Sequence, residues 1–248
     1  MQERGTAAYL AEFIGTLLLV FFITAVVSLY VKEPSALNPN PFIDFSVIGL
    51  VHVFLLFVLI QTLAVASGAH FNPAVTAAMT FLRQIRPRDA GIYMVMQYLG
   101  AIGGAYLTKA LLLDEGKAQN YGAAAVSDVL NGKLVPGMVV EALGTFFLLW
   151  AIIGVAVNPR ASKDWAALAI GGALGMAVMV FAPLTGASFN PARAFGPALA
   201  SGEWDGFWHF VLVYTVAPVL GALVAVILYL QILAEPGAKG VGGAEPVG

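Results

Sequence analysis

Long apolar runs alternate with short polar segments along almost the whole chain. Six of these runs are about 18 to 27 residues long, and they cover 7–31, 45–66, 90–113, 137–157, 165–182 and 207–233. A helix of about 20 residues spans the hydrocarbon core of a bilayer. The pattern therefore predicts six transmembrane helices in an all-α membrane protein. The first run could instead be a cleaved signal peptide, but its pattern returns later in the chain, which favours a retained helix.

Two shorter apolar segments follow a repeated motif. Residues 68–74 read Gly-Ala-His-Phe-Asn-Pro-Ala, and residues 186–192 read Gly-Ala-Ser-Phe-Asn-Pro-Ala. Asn is a strong N-cap and Pro suits the first turn of a helix, so each motif predicts a helix start. The helices expected at 73–82 and 191–200 are about 15 Å long, half of the hydrocarbon core. Asn-Pro is also a turn dipeptide, but its recurrence in matching surroundings favours two half-helices.

Two carboxylates lie inside apolar runs. Glu12 and Glu141 occupy the first and fourth runs, and each is followed by Gly and Thr three and four positions later. A charged side chain at that depth is costly unless it faces protein or water. We therefore expect both carboxylates to accept hydrogen bonds from irregular backbone beside the half-helices. The alternative is that both lie at the membrane interface and only extend toward water.

The motifs divide the chain into two related halves. Asn190 follows Asn72 by 118 residues and Gly221 follows Gly104 by 117, so these positions are paired. Each half contains three spans, an odd number, so the halves must cross the membrane in opposite directions. This predicts an inverted repeat in which broken helices meet near mid-membrane. The expected divisions are a first half at 1–113, an extracellular connecting loop at 114–136, a second half at 137–233 and a disordered tail at 234–248.

Composition narrows the possible functions. Of the 248 residues, 60% are hydrophobic and 10% are charged, whereas soluble domains average about 25% charged residues. The net charge of −2 indicates no nucleic-acid partner. There is no cysteine, and the three histidines lack metal-ligand spacing, so no metal site or cofactor is expected. The absence of a Ser-His-Asp set or a phosphate-binding glycine loop argues against an enzyme.

The basic residues predict the orientation in the membrane. The two tightest basic loops, 83–89 and 158–164, fall on the same side of the six-span arrangement as both termini. Cytoplasmic loops carry an excess of Lys and Arg. Both termini are therefore expected in the cytoplasm, and we expect the protein to reside in the plasma (cell inner) membrane.

The doubled Asn-Pro-Ala motif, the Arg after its second copy and the Glu in the first and fourth spans resemble the aquaporin (major intrinsic protein) family over about residues 7–233. The resemblance implies an aquaporin-like fold of six transmembrane helices with two re-entrant half-helices. It also implies a homotetramer with one pore per subunit, and passive passage of water that excludes protons and ions. The pore motifs would be formed by Asn72, Pro73, Ala74, Asn190, Pro191 and Ala192.

The family's spacing identifies further positions. The resemblance places His52, Val178, Ala187 and Arg193 at a selectivity constriction, and His70 beside the pore. Water-selective members have Phe and His at the first two positions, so this set is more similar to the plant vacuolar (tonoplast) subfamily. The implied constriction is wider and less polar, and it favours ammonia, hydrogen peroxide or urea as further solutes. His52 could instead be a core histidine away from the pore, and Arg193 could be tied to the outer loops.

Two alternative functions remain open. Glycerol facilitators have Asp and a basic residue where Ala194 and Ala198 stand here, which argues against a dedicated glycerol channel. An ion-coupled secondary transporter also uses inverted repeats and broken helices. Such a transporter needs carboxylates near mid-membrane, and Glu12 and Glu141 are the candidates for that role.

Overall fold

The computed structural model describes residues 5–32 and 42–232. These residues are predominantly helical, with one antiparallel pair of two-residue strands, β1 (Val31–Lys32) and β2 (Phe42–Ile43). The helices are α1 (Thr6–Tyr30), α2 (Phe45–Ser67), α3 (Pro73–Phe81), α4 (Pro87–Leu111), α5 (Leu113–Ala118), α6 (Leu134–Ile152), α7 (Ala166–Thr185), α8 (Pro191–Ser201), α9 (Phe207–Val211) and α10 (Ala217–Ile232). A π-helical turn at Ile153–Val157 extends α6, and another at Leu212–Val216 joins α9 to α10.

Six long helical segments correspond to the six predicted spans. In the described part of the chain, five of them are long and apolar enough to cross a membrane, at Thr6–Tyr30, Phe45–Ser67, Leu134–Val157, Ala166–Thr185 and Phe207–Gln231. Helix α4 is equally long at 25 residues, but it includes Asp89, Gln97 and Lys109. It begins before the predicted position 90 because Pro87 occupies its first turn, where the missing N–H is not needed. The predicted membrane fold is confirmed.

The half-helices begin at the repeated motif. Asn72 and Asn190 are the N-caps of α3 and α8, both with extended backbone, and the prolines that follow occupy the first turn. The C-caps of the preceding helices, α2 and α7, are Gly68 (φ 86°) and Gly186 (φ 74°). Glycine suits these left-handed positions because it has no Cβ. Local capping thus separates each half-helix from the span before it. The C-terminal ends of α3 and α8 each differ by one residue from the predicted ends at 82 and 200.

Glycines allow the closest helix contacts. A Cβ at Gly100 in α4 would overlap the carbonyl oxygen of Phe13, and a Cβ at Gly221 in α10 would overlap the carbonyl oxygen of Ala142. Phe13 and Ala142 each follow the buried glutamate of their helix, so the α1–α4 and α6–α10 contacts are equivalent. The predicted pairing of Gly104 with Gly221 is therefore wrong by one helical turn. Gly100 and Gly104 lie on the same helix face, and sequence spacing alone does not distinguish them.

The two motif loops are anchored by aromatic rings. The Phe71 ring occupies the space beside Gly15 of α1, and the Phe189 ring occupies the space beside Gly144 of α6. Both rings are fully buried. Any side chain at either glycine would collide with the ring, so the small residue in the Glu-x-x-Gly pattern is what lets each loop approach its span.

The connection between the halves is partly ordered. The region predicted as a loop at 114–136 contains most of α5 and two 3₁₀ turns, at Asn120–Gly122 and Asp128–Leu130. A Cβ at Gly122 would come within 3.4 Å of Thr24 and Val27 of α1. The tail predicted at 234–248 lies outside the described residues, as do residues 33–41 between the first two spans.

Candidate pore and constriction

The asparagines of the two motifs hold the opposite loops together. The Asn72 side-chain oxygen accepts from the Ala74 N–H (2.8 Å), and its amide nitrogen donates to the Phe189 carbonyl oxygen (2.8 Å). The Asn190 side-chain oxygen accepts from the Ala192 N–H (3.0 Å), and its amide nitrogen donates to the Phe71 carbonyl oxygen (2.9 Å). The N-termini of α3 and α8 therefore meet through a reciprocal pair of hydrogen bonds.

This pairing determines what the asparagines can offer to a solute. A side-chain amide nitrogen carries two hydrogens, and each asparagine uses one of them on the opposite loop. The second N–H remains as a donor, and Asn72 and Asn190 both line the larger of the two cavities described below. A water oxygen that accepts from both amides would be oriented by donors that are themselves immobilised.

Glu12 stabilises the first motif loop. Its carboxylate accepts hydrogen bonds from the Ser67 hydroxyl (2.6 Å), the His70 N–H (2.9 Å) and the Phe71 N–H (2.7 Å). Gln97 of α4 adds a fourth, from its amide nitrogen (2.7 Å). A buried carboxylate is tolerated when it is fully hydrogen-bonded, and these contacts satisfy backbone groups that the loop would otherwise leave unpaired.

Glu141 does the same for the second loop. It accepts from the Thr185 hydroxyl (2.7 Å), the Ser188 N–H (2.9 Å) and the Phe189 N–H (2.7 Å). Both glutamates are completely buried. The two carboxylates therefore occupy equivalent places behind the loops rather than at a membrane interface.

Several supporting residues were missed in the sequence. The Tyr93 hydroxyl donates to the Ser67 carbonyl (2.8 Å), and the Tyr214 hydroxyl donates to the Thr185 carbonyl (3.0 Å). The two tyrosines are 121 residues apart, the same spacing as Gly100 and Gly221, but this spacing is known only from the helix contacts in the structure. Gln97 has no such signal, because the position 121 residues later is proline and its partners lie on α1 and α3.

Two cavities approach each other at His52 and Arg193. The larger, about 580 Å³, is lined by Asn72, Asn190 and His70 and extends to Lys163 beyond the end of α6. The smaller, about 290 Å³, opens on the side of the connecting segment and is lined by Val178, Gly122 and Gly186. His52 and Arg193 line both cavities. These two side chains therefore lie between the two cavities, which we call the two vestibules.

His52 presents a hydrogen-bond acceptor. The residue is 2% exposed, and its Nδ1 lies 2.7 Å from the carbonyl oxygen of Ile48. A carbonyl only accepts, so Nδ1 carries the proton in this hydrogen bond. The neutral ring then has an acceptor at Nε2, on the opposite edge of a residue that lines both cavities.

Arg193 contributes donors and a positive charge. It is 3% exposed, and its Nη1 donates to the carbonyl oxygen of Gly122 (3.2 Å). The Nε–H has no hydrogen-bond partner among residues 5–32 and 42–232. A buried arginine with an unused donor is suited to contact a passing polar molecule, because an unpaired buried donor is costly.

The remaining predicted positions differ in whether they line a cavity. Val178 is buried and lines only the smaller cavity, where it offers no polar atom. Ala187 is also buried, with a left-handed backbone (φ 45°), and it lines neither cavity. The His70 ring has Nδ1 3.1 Å from the Thr76 hydroxyl. Among the described residues, no group of His, Cys, Asp or Glu side chains could hold a metal ion.

Comparisons with known proteins agree with this arrangement. The sequence model of the family described as Major intrinsic protein matches residues 2–229. Nodulin-26 of Glycine max is 37% identical over 88% of this chain and 75% of its own length. Aquaporin AqpM of Methanothermobacter marburgensis is 32% identical over 93% of this chain and 98% of its own length.

A solved structure shows the same fold. The aquaglyceroporin from Plasmodium falciparum superimposes with a TM-score of 0.74, at 22% identity, over 92% of this chain and 96% of that one. At this identity the likeness concerns the path of the chain rather than the solute.

Proposed function

Because this chain belongs to the major intrinsic protein family, whose members form channels for water and small solutes, we propose that its pore passes between His52 and Arg193 and beside the paired asparagines. The observation that carries this proposal is the pair of cavities that share those two residues. Water would cross passively, in single file, from one vestibule to the other. No covalent bond is made or broken in this process, so the proposal is for a channel and not an enzyme.

Ion exclusion follows from the charges beside this path. The N-termini of α3 and α8 each carry roughly half a positive charge, and the hydrogen bonds between the motif loops keep those ends together. Arg193 adds a full positive charge in a buried position. Arg and half-helix dipoles are the established explanation for cation and proton exclusion in aquaporin-type channels. Ala74 and Ala192, next to the prolines, keep the helix ends free of bulky side chains.

The solute range follows from the chemistry of the constriction. His52 offers an acceptor, Arg193 offers donors, and Val178 offers an apolar wall. Ammonia, hydrogen peroxide and urea each have N–H or O–H groups for His52 and a lone pair for Arg193. This combination is similar to the plant vacuolar subfamily, but the relatives described above include a soybean nodulin and an archaeal aquaporin. The proposal of ammonia, hydrogen peroxide and urea as solutes therefore rests on the chemistry of these three side chains and not on membership of the plant vacuolar subfamily.

The alternative of an ion-coupled transporter has less support. Its coupling site would need Glu12 and Glu141 to bind a cation, but each carboxylate already accepts at least three protein hydrogen bonds. Binding a cation there would disconnect the motif loops. A glycerol-type facilitator remains compatible with the fold, and the permeability experiment below distinguishes it.

Assembly and placement are also proposed. We propose a homotetramer with one pore per subunit, in the plasma (cell inner) membrane, with both termini in the cytoplasm. The support for the orientation is the basic loop at 83–89 and the Lys163 side chain beside the larger cavity. The larger cavity would then be the cytoplasmic vestibule.

Stopped-flow light scattering on proteoliposomes tests the function. Purified protein should accelerate osmotic shrinkage with a low activation energy, and no proton current should accompany the water flux. Parallel gradients of urea, ammonia and glycerol give the solute range, and fast glycerol flux would favour the facilitator. Shrinkage no faster than in protein-free vesicles would overturn the channel proposal, and saturable uptake coupled to an ion gradient would favour the transporter.

A further inference from the structure

Arg193 is held in place by the segment that connects the two halves. Its Nη1 donates to the carbonyl oxygen of Gly122 (3.2 Å). Gly122 has a left-handed backbone (φ 72°), and a Cβ there would contact Thr24 and Val27 of α1 at 3.4 Å. Gly122 also lines the smaller cavity. The direction of this carbonyl, and with it the guanidinium, therefore depends on the path of the connecting segment, which we define as residues 119–127.

The other end of the connecting segment is tied down by Asp205. The N–H of Val126, a residue that is 8% exposed, donates to Oδ2 of Asp205 (2.9 Å). The next N–H, of Ser127, donates to the carbonyl of Leu184 at the end of α7 (2.9 Å). Between these ties and Gly122 the chain also packs closely, since a Cβ at Gly186 would come within 3.1 Å of Ala124.

Asp205 is well placed to act as an anchor. It lies between α8 and α9, twelve residues after Arg193, and its own backbone is left-handed (φ 53°). Its side chain is only 17% exposed, and Nδ1 of His209 lies 3.3 Å from the same Oδ2. The Asp205 carboxylate therefore holds the connecting segment at Val126. The same segment holds the Arg193 guanidinium through the Gly122 carbonyl.

We propose that Asp205 is a positioning residue for solute selectivity, which acts by holding Val126 so that Gly122 keeps the Arg193 guanidinium at the constriction. The inference rests on the proposed role of Arg193 in the pore. The group that matters is the oxygen that accepts from Val126, and the charge that faces His209 is not required. Asp205 touches neither cavity itself, so its effect on permeation reaches the solute only through the connecting segment.

The variants separate the hydrogen bond from the charge. Asp205→Ala removes both, Asp205→Asn keeps an acceptor oxygen but loses the charge, and His209→Gln leaves the Val126 bond intact. The readout is the ratio of glycerol to water permeability in proteoliposomes after the values of protein-free vesicles are subtracted, and a loss of protein alone does not change this ratio. We expect Asp205→Ala to raise this ratio by about twofold or more, since indirect coupling through packed residues is commonly of this size. Asp205→Asn and His209→Gln should keep the wild-type ratio.

Arg193→Ala and the double variant locate the effect. Arg193→Ala should raise the same ratio, and adding Asp205→Ala to it should produce no further rise, because the anchor then has nothing to position. An additive double variant, or an unchanged ratio in Asp205→Ala while Arg193→Ala raises it, would overturn the inference. An unchanged ratio in Arg193→Ala would instead contradict the proposed function. If Asp205→Ala does not fold, Asp205→Ser, whose side chain is too short to replace the carboxylate, is measured against the same expectation.

Discussion

The amide nitrogen of Asn72 donates a 2.8 Å hydrogen bond to the carbonyl oxygen of Phe189, in the opposite half of the chain. The amide nitrogen of Asn190 donates the equivalent hydrogen bond to the carbonyl oxygen of Phe71. Each asparagine thus caps its own half-helix with its oxygen and holds the partner loop with its nitrogen. The two halves of the repeat are joined at their centre by the residues that we propose to contact water.

Replacing Asn72 by Asp tests this join. The carboxylate can still cap α3, but it has no N–H for the Phe189 carbonyl and repels it instead. We expect the free energy of unfolding to fall by about 1–3 kcal/mol, the usual cost of an unsatisfied buried polar group, and water permeability to fall as well. Thermal unfolding in detergent and osmotic shrinkage measure the two effects. Asn131→Asp, at an exposed position, is the control and should change neither.

Replacing Glu12 by Gln tests the support behind the first loop. Glutamine has one acceptor oxygen, so it cannot accept from both the His70 and Phe71 N–H groups at their present positions. We expect a loss of about 1–3 kcal/mol in stability, measured by thermal unfolding. Glu203→Gln makes the same chemical change at an exposed residue and should leave the unfolding temperature as in the wild type. Equal unfolding temperatures for both variants would contradict the supporting role.

Gly100 and Gly91 provide a matched pair within α4. A Cβ at Gly100 would overlap the Phe13 carbonyl oxygen, whereas a Cβ at Gly91 meets no atom of the described residues within 4 Å. We expect Gly100→Ala to prevent the close approach of α1 and α4 and to abolish folded protein in size-exclusion chromatography. Gly91→Ala should be neutral or stabilise the helix by up to about 1 kcal/mol, because alanine favours helix more than glycine does. Normal recovery of Gly100→Ala would show that the helices can separate.

His52→Phe tests the proposed acceptor at the constriction. The variant removes Nε2 and adds bulk between the vestibules. We expect the ratio of urea to water permeability to fall by about 2- to 10-fold, the change that corresponds to one lost hydrogen bond. Stopped-flow measurements in a urea gradient give this ratio. His209→Phe makes the same replacement at a residue that lines neither cavity and should leave the ratio unchanged; a fall of equal size there would argue against a specific role for His52.

The predicted half-helices were accurate because helix capping is local. An Asn that accepts from an N–H two residues later, followed by Pro in the first turn, is specified by three consecutive residues. The spans were accurate for a related reason, since length determines which segments can cross a bilayer. High hydropathy agrees with length in five of the six described spans, α4 being the exception. The pairing of Gly104 with Gly221 was wrong because two glycines one turn apart give the same pattern, and only the contact with Phe13 selects Gly100.

The contacts that support the motif loops and Arg193 could not be predicted from local sequence patterns. Gln97 reaches Glu12 across 85 residues, and Asp205 reaches Val126 across 79. No local pattern marks such partners, because a glutamine in a span or an aspartate in a loop has many possible neighbours. The group that holds Arg193 is the backbone carbonyl of Gly122. Every residue has such a carbonyl, so the residue type does not indicate which one will bind the arginine.

The order of the apolar runs, the doubled motif and the buried charges determined by themselves that this chain crosses a membrane as an inverted repeat with two half-helices. These features depend on bilayer thickness and on hydrogen bonds between residues that are close in the sequence. Both can therefore be inferred from the sequence alone. Only the tertiary structure decided which side chains stand between the two vestibules and which backbone groups hold them, because hydrogen bonds between distant segments depend on distances that arise after the helices have packed.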